Sequence, residues 1–532
     1  MEKRTIIAIV ISILMLIFYP MFVSKFYPPQ EVLYEDISDS ESLAEPIKQT
    51  KLAIDEEKPI VNDKVLFDLN VAEKVLSNNR YVINMTNLGA SVSSIEIKDH
   101  TRFDVLLVED ALNQAGVFSM KGRGSLLGID TQLFTIKEDT NTFVASINGL
   151  LVEKTIDFIE DNYALRSSVE ITNTSNTARP YSFDLVTASN ISNKEKFEGR
   201  YIEGDVYFSS SKFKKIAGGK FKDSYFTYPE NIEWVALKNK YYSIIAKPDF
   251  KISGVFTNNI DNKPIIGLSS GEEVIMPGET RQYNMLVYIG PTDVDELEKV
   301  EQSFGKALNF GMLTGISMVL LSVLKFFYNI FHNYGLAIIF LTCCVSVLLF
   351  PLSFKSMQSM RKMQELQPKM EKLRADYKDN HQKLNKEMME LYKKHKVNPM
   401  GGCFPMLLQM PIFIALYQTL MRSVELKGSS FLWIKDLSMP DRAFTLPVTL
   451  PLLGDAINVL PILMIGAMIL QQKLSMAKAS VQTDQQKMMS SIMPVMFGFI
   501  FYSLPSGLVM YWLINTVLSS SMQSILLRKT RS

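Results

Sequence analysis

Three cysteines in 532 residues are too few to staple a fold. Cys343, Cys344 and Cys403 all fall in apolar runs, so the large polar region carries no disulfide framework in any compartment. Histidine is scarcer than the chain length would allow, with four scattered residues and neither a C-x2-C nor an H-E-x-x-H pattern, which leaves zinc ligation unsupported. No G-x4-G-K-[ST] occurs, so P-loop nucleotide hydrolysis is excluded. Neither sign of charge dominates: 56 basic residues meet 55 acidic ones, and a net charge of +1 gives no global attraction to nucleic acid. No feature calls for a cofactor.

Charge is absent locally, and that absence is informative. Thr5–Val23, Tyr334–Phe354, Pro399–Met421 and Ala456–Gln472 are uncharged, and Met488–Leu527 runs 40 residues without a charge. A membrane span needs ~20 apolar residues, so the last run holds two, divided by the turn chemistry of Leu504-Pro505-Ser506-Gly507. The chain therefore reads as a polytopic α-helical membrane protein. Met1-Glu2-Lys3-Arg4 ahead of Thr5–Val23 resembles a signal-peptide start, but the apolar stretch is long and no A-x-A site closes it, so it reads as an uncleaved anchor.

The expected organisation follows composition. An anchor over 1–23 and a polar, acidic linker over 24–60 precede a region, 61–295, of short alternating runs such as YVINMTNLGASVSSIEI and LRSSVEITNTSN. Many short strands in this region predict a large β-sandwich-like domain outside the cytoplasm. Ala307–Leu324 is long enough to span, but an extra crossing there would put the Lys355–Lys396 loop, with 12 Lys/Arg against 6 Asp/Glu, on the outside. Residues 296–332 are therefore expected to hold an amphipathic helix in the outer interface. Spans follow at 333–354, 399–422, 456–472, 488–504 and 507–527, with an outer loop over 423–455, an inner loop over 473–487 and a basic tail over 528–532. That gives six spans with both ends cytoplasmic.

Residues 355–398 are expected to form a helical hairpin. Met363, Leu366, Met370, Leu373 and Tyr377 repeat at spacings of three and four, Lys378–His381 is a plausible turn, and Leu384, Met388 and Leu391 resume the seam. Pro368 marks a helix start or a kink. The basic charge fits either a solvated face or attraction to anionic lipid, ribosomal RNA or a protein partner.

Within the spans, the costly polar groups are Gln409 and Asn515. Thr342 and Ser346 are one turn apart, and Tyr511, Asn515 and Ser519 share one helix face. Hydroxyls of this kind commonly bond their own helix, and the whole set fits either a closed bundle or an open, wet groove. A proton or ion path would show ionisable side chains, and these stripes have none. Of 29 methionines, 20 lie in residues 351–532, which fits either gap-filling or an adaptable greasy surface.

FPLSFKSMQSMRKMQELQPKM, LYKKHKVNP, KVNPMGGCFPMLLQMPIFIALYQTL and LPSGLVMYWLINT occur in this order and resemble the YidC membrane protein insertase family. The resemblance runs from about Tyr334 to the end, and the anchor and outer β domain ahead of it resemble the Gram-negative branch. It implies a bacterial inner-membrane protein with a five-helix core around a hydrophilic groove, closed outward and open to cytoplasm and lipid. It implies insertion and chaperoning of newly made membrane proteins, alone or with the Sec translocon and the ribosome, without enzymatic chemistry or a small-molecule substrate. Carried across, Thr342, Gln409, Phe413, Tyr511 and Trp512 match groove or substrate-contact positions; Ser346 and Asn515 complete the polar stripe. Lys355, Arg361, Met363 and Met370 are the candidates for cytoplasmic reception.

The chain departs from that family at one point. The family places an arginine in the groove where this chain has Ser346, and no Lys or Arg lies between His332 and Lys355. Lys355 is nine residues beyond, ~13 Å along a helix. The groove is therefore expected to be wet but uncharged, with Gln409 facing water. Two rival classes remain: a transporter, which would show internal repeats and buried ionisable groups, and an anchored enzyme using Asp104, Glu109 and Asp110 of the outer domain.

Overall fold

The computed structural model describes residues 71–98, 105–108, 116–189, 191, 201–260, 262–378, 380–395, 397, 404–450, 454–476 and 484–529. The anchor, the linker, Asp104, Glu109, Asp110 and Cys403 lie outside these residues.

The alternating runs of the first half form antiparallel sheets. A 9-stranded sheet and a 6-stranded sheet are joined by a 4-stranded one. Leu150–Ile159 shows why: its side chains alternate between buried and half-buried for most of its length, the signature of a strand with one face inward. It pairs with Ala164–Asn173 over their whole length. Strand Arg179–Ser189 of the 6-stranded sheet packs across Ile232–Lys238 and Tyr242–Pro248 of the 9-stranded one, so the two sheets share one apolar core. Trp234 lies fully buried in that core, stacked on Tyr207 at 5.0 Å between ring centroids. The domain is a β-sandwich with an added sheet.

The second half is helical. Helix α1 is Val294–Val300, α2 is Thr314–Phe331, α3 is Tyr334–Asp376, α4 is His381–Lys394, α5 is Phe404–Arg422, α6 is Val459–Met476, α7 is Asp484–Tyr502 and α8 is Ser506–Lys529. Asp293 caps α1, accepting from Asp295 N at 2.8 Å. His332, with a left-handed backbone (φ +50), ends α2, and the Asn333 side chain accepts from Leu336 N to start α3. Helices α3, α6 and α7 all pack on or beside α8, while α2 packs on α3 and α5. The bundle has its own core, in which Leu324, Ala337, Ile338, Leu416, Met464, Leu508 and Tyr511 are buried.

Among the described residues, two helices, Thr314–Phe331 and Tyr334–Ser359, are long and apolar enough to cross a membrane. Both α2 and the start of α3 therefore meet that test, although sequence charge pointed to an interfacial helix before residue 333. The expected break between span and hairpin at 354/355 is absent. Helix α3 runs 43 residues through Pro351 and Pro368 without interruption. Charge changes at Lys355, but nothing there stops a helix, and Pro368 is neither a start nor an end. The hairpin is thus the end of α3 folded back on α4, with the turn at Tyr377–Asn380, where Asn380 caps α4 through Lys383 N at 3.0 Å.

Candidate functional site

The polar residues of the bundle converge on α8. Tyr511, near its start, is fully buried, and its hydroxyl accepts a hydrogen bond from the Gln409 amide of α5. One turn further, Asn515 Oδ1 accepts from the Ser346 hydroxyl of α3 at 3.3 Å. Two uncharged pairs therefore tie α5 and α3 to one face of α8, at the i and i+4 positions that a helix places together. Gln409 was expected to face water; its amide nitrogen instead has a protein partner, while the residue stays half-exposed.

Thr342 is fully buried and donates to Ile338 O of its own helix at 2.6 Å. It reaches no other helix through that hydroxyl, the ordinary behaviour of threonine in an apolar helix. Ser519 is half-buried on the same α8 face.

An aromatic wall adjoins the polar pairs. Phe413 meets Trp512 edge-on at 5.1 Å, and Phe497 and Phe501 of α7 approach the same indole at 5.8 and 5.3 Å. Phe413 and Trp512 were identifiable from the motifs, whereas Phe497 and Phe501 were not. Their signal was the four-residue spacing that puts both on one face of α7.

On the hairpin, Lys355 is exposed and Met363 and Met370 are half-buried. The Tyr392 hydroxyl of α4 lies 3.7 Å from Met370 Sδ, so this methionine is part of the hairpin seam. Arg361 lies in α3, and its side chain is outside the described residues. Structure thus groups Ser346, Gln409, Phe413, Tyr511, Trp512 and Asn515, and leaves Lys355, Met363 and Met370 on the separate hairpin arm.

Sequence reading missed the junction between the β domain and the bundle. Arg422, in the last turn of α5, bonds Glu203 of strand Glu203–Phe208 at 2.9 Å. Lys215 and Lys238 also reach Glu203, at 3.5 and 3.7 Å, and Lys238 pairs with the fully buried Asp205. Burial pushes the Glu203 carboxyl up, but Lys238, Arg422 and Lys215 outweigh it and hold the pKa at about 2. A second junction joins Lys325 of α2 to Asp293 at 2.9 Å, Asp295 at 2.7 Å and Glu425 at 3.2 Å.

No group of three or more His, Cys, Asp or Glu that could hold a metal occurs among the described residues. A β-rich domain clasped by ion pairs to a bundle of apolar helices, joined inside by uncharged polar contacts, defines a membrane protein with a large folded domain on one face.

Comparison with known proteins gives the particular group. Residues 75–323 match the YidC periplasmic domain and residues 326–532 match the family described as 60Kd inner membrane protein. The chain is 31% identical over 551 residues to the membrane protein insertase YidC of Geotalea daltonii, covering 98% of each chain. It is 33% identical over 489 residues to that of Methylobacillus flagellatus, covering 87% of this chain and 85% of the relative. A solved structure described as an active YidC insertase with the first transmembrane domain resolved aligns at a TM-score of 0.38 and 19% identity, over 85% of this chain and 92% of that one. The chain belongs to the YidC membrane protein insertase family.

Proposed function

We propose that this protein inserts newly made membrane proteins into the bacterial inner membrane and chaperones their folding there, without covalent chemistry. The observation that carries the reading is the pair of uncharged contacts, Gln409–Tyr511 and Ser346–Asn515, set inside an apolar bundle beside the Phe413–Trp512 wall. Polar flanks of a substrate exchange water for these groups, and its apolar segment exchanges water for aromatic rings and then lipid. Desolvating a lone amide in hydrocarbon costs several kcal/mol, so a polar path shortens the distance over which that cost applies. Burial of the substrate's own apolar surface drives release into lipid.

In this reading Thr342, Ser346, Gln409, Phe413, Tyr511, Trp512 and Asn515 meet the substrate, and the arm with Lys355, Arg361, Met363 and Met370 receives it from the ribosome, alone or beside the Sec translocon. Six spans with both ends cytoplasmic remain the topology of the proposal. The contacts of α2 support an interfacial position for that helix. Ser317, early in α2, donates to Ala415 O of α5 at 3.1 Å, and Lys325, late in α2, pairs with Glu425 just beyond α5 at 3.2 Å, so α2 lies against the second half of α5 and the segment after it.

The test is insertion in proteoliposomes containing only the purified chain, without Sec or ATP. A newly made single-span protein is added and protease protection is scored against empty liposomes. Protection above that control is expected. Protection equal to it, with the chain shown to be folded, would overturn autonomous insertion.

A further inference from the structure

A short turn on the β-domain side of the bundle exposes two large apolar residues, Leu432 and Trp433, and holds Leu432 in a backbone conformation that favours glycine. Phe431 and Ile434 exchange backbone hydrogen bonds, both at 2.9 Å, closing a tight turn over Leu432 and Trp433. Leu432 has φ +52, the left-handed conformation that glycine ordinarily supplies at the first residue of such a turn. A branched residue there costs roughly 1–2 kcal/mol of local strain. Yet Leu432 is 76% exposed and Trp433 is 42% exposed, so packing within the described residues does not compensate.

The base of the turn is rigid. Ile434 and Leu437 are buried in the bundle core. Phe431 packs on Gly335 in the first turn of α3 so closely that a Cβ there would overlap its ring. Gly507 N and Ser506 N, at the start of α8, bond Leu437 O and Met439 O at 2.9 and 2.7 Å. The tip is thus held out by α3 and by the start of α8.

Its depth can be estimated from α3. Gly335 and Lys355 are separated by 20 residues, or ~30 Å of helix, which equals the hydrocarbon thickness of a bilayer. If Lys355 marks one boundary, Gly335 and the Phe431 seat mark the other. Exposed Lys435 follows Trp433 by two residues, and a tryptophan with a lysine close by is the residue pairing that settles at the headgroup level.

We propose that Leu432 and Trp433 form an interfacial anchor that inserts into the leaflet on the β-domain side, with Lys435 at the phosphates. Its partner is the lipid surface itself. This rests on the membrane reading of the bundle given above.

The experiment uses the full chain, labelled with 5-fluorotryptophan, in phosphatidylethanolamine–phosphatidylglycerol nanodiscs. Its three tryptophans are Trp234, Trp433 and Trp512. Trp433→Phe and Trp512→Phe assign two resonances, leaving Trp234 as the control within the β domain. Nitroxide lipids labelled at the headgroup or deep in the acyl chain are compared with a soluble gadolinium chelate. The expected result is relaxation of Trp433 severalfold stronger with the headgroup nitroxide than with the chelate, and a reversal of that order in Leu432→Asp. Stronger relaxation of Trp433 by the chelate, or no response to either agent because protein covers the tip, would overturn the anchor while Trp512 still responds to acyl-chain nitroxide. Failure of Trp512 to respond to any lipid label would instead overturn the membrane reading.

Discussion

Ser346 and Asn515 meet at 3.3 Å across two helices whose residues are 169 apart in sequence, and neither carries a charge. Arginine at 346 would bring a cation to Asn515 and to any acidic substrate segment beside it. An attraction of ~1 kcal/mol is a factor of about five in occupancy. Ser346→Arg is expected to raise insertion of substrates with acidic flanks about fivefold over those with neutral flanks. The measurement is protease protection of matched substrates in proteoliposomes, and unchanged insertion of both would remove any role for the missing charge.

The Gln409–Tyr511 contact predicts an asymmetry between single and double variants. Tyr511→Phe leaves the Gln409 amide without its partner and is expected to cost about 1 kcal/mol. Gln409→Leu leaves the buried Tyr511 hydroxyl in the same position. The double variant replaces both partners with apolar groups and should cost less than the sum of the singles. Reversible unfolding in mixed micelles measures all three; strict additivity would mean the two side chains act independently.

At the domain junction, Arg422→Ala should strip one cation from Glu203 and cost about 2 kcal/mol of docking between domain and bundle. Hydrogen exchange across Glu203–Phe208 and the end of α5 should rise together. Glu203 also fixes the sign with pH. Its folded pKa of about 2 is below the ordinary carboxylate value, so the contribution is present at neutral pH and lost as pH falls through that interval. Acidification should therefore loosen this junction in the parent and have less effect in Glu203→Gln.

Lys154 predicts a dependence of the same sign in a higher pH window. Its ammonium is buried in the β-sandwich, donating to Gly89 O at 2.7 Å and Phe118 O at 3.1 Å. Burial lowers its pKa to about 7, and Asp130 opposes this only in part. Between that value and the ordinary lysine value the unfolded chain binds the extra proton, so folding stability rises with pH, by at most ~1.4 kcal/mol per unit. Lys154→Met should flatten this rise. Thermal unfolding of the outer domain within the full chain, followed by near-UV signal from pH 7 to 10, reads the difference, and parallel curves for the two proteins would contradict it.

Local pattern made part of this architecture legible. Strand Ala164–Asn173 was visible in LRSSVEITNTSN because a sheet with one wet face writes a period of two into the sequence. The hairpin seam was visible through Met363, Met370 and Leu384, although the join between span and hairpin was not. A change from apolar to charged residues at Lys355 reports a change of surroundings, whereas helix ends depend on caps and breakers, and none acts there. The partners of Gln409 and Arg422 were beyond reach for another reason. They lie 102 and 219 residues away, and no local periodicity encodes such pairs.

The unbroken α3 has a mechanical consequence. Its 43 residues make a rod of ~65 Å, with the hairpin arm at one end and, at the other, the glycine on which the Phe431 ring rests. A tilt of the arm is therefore a tilt of the segment inside the bundle, and the torque arrives at the seat of the exposed turn. Pro351 and Pro368, each lacking a backbone donor, lie within that rod without ending it.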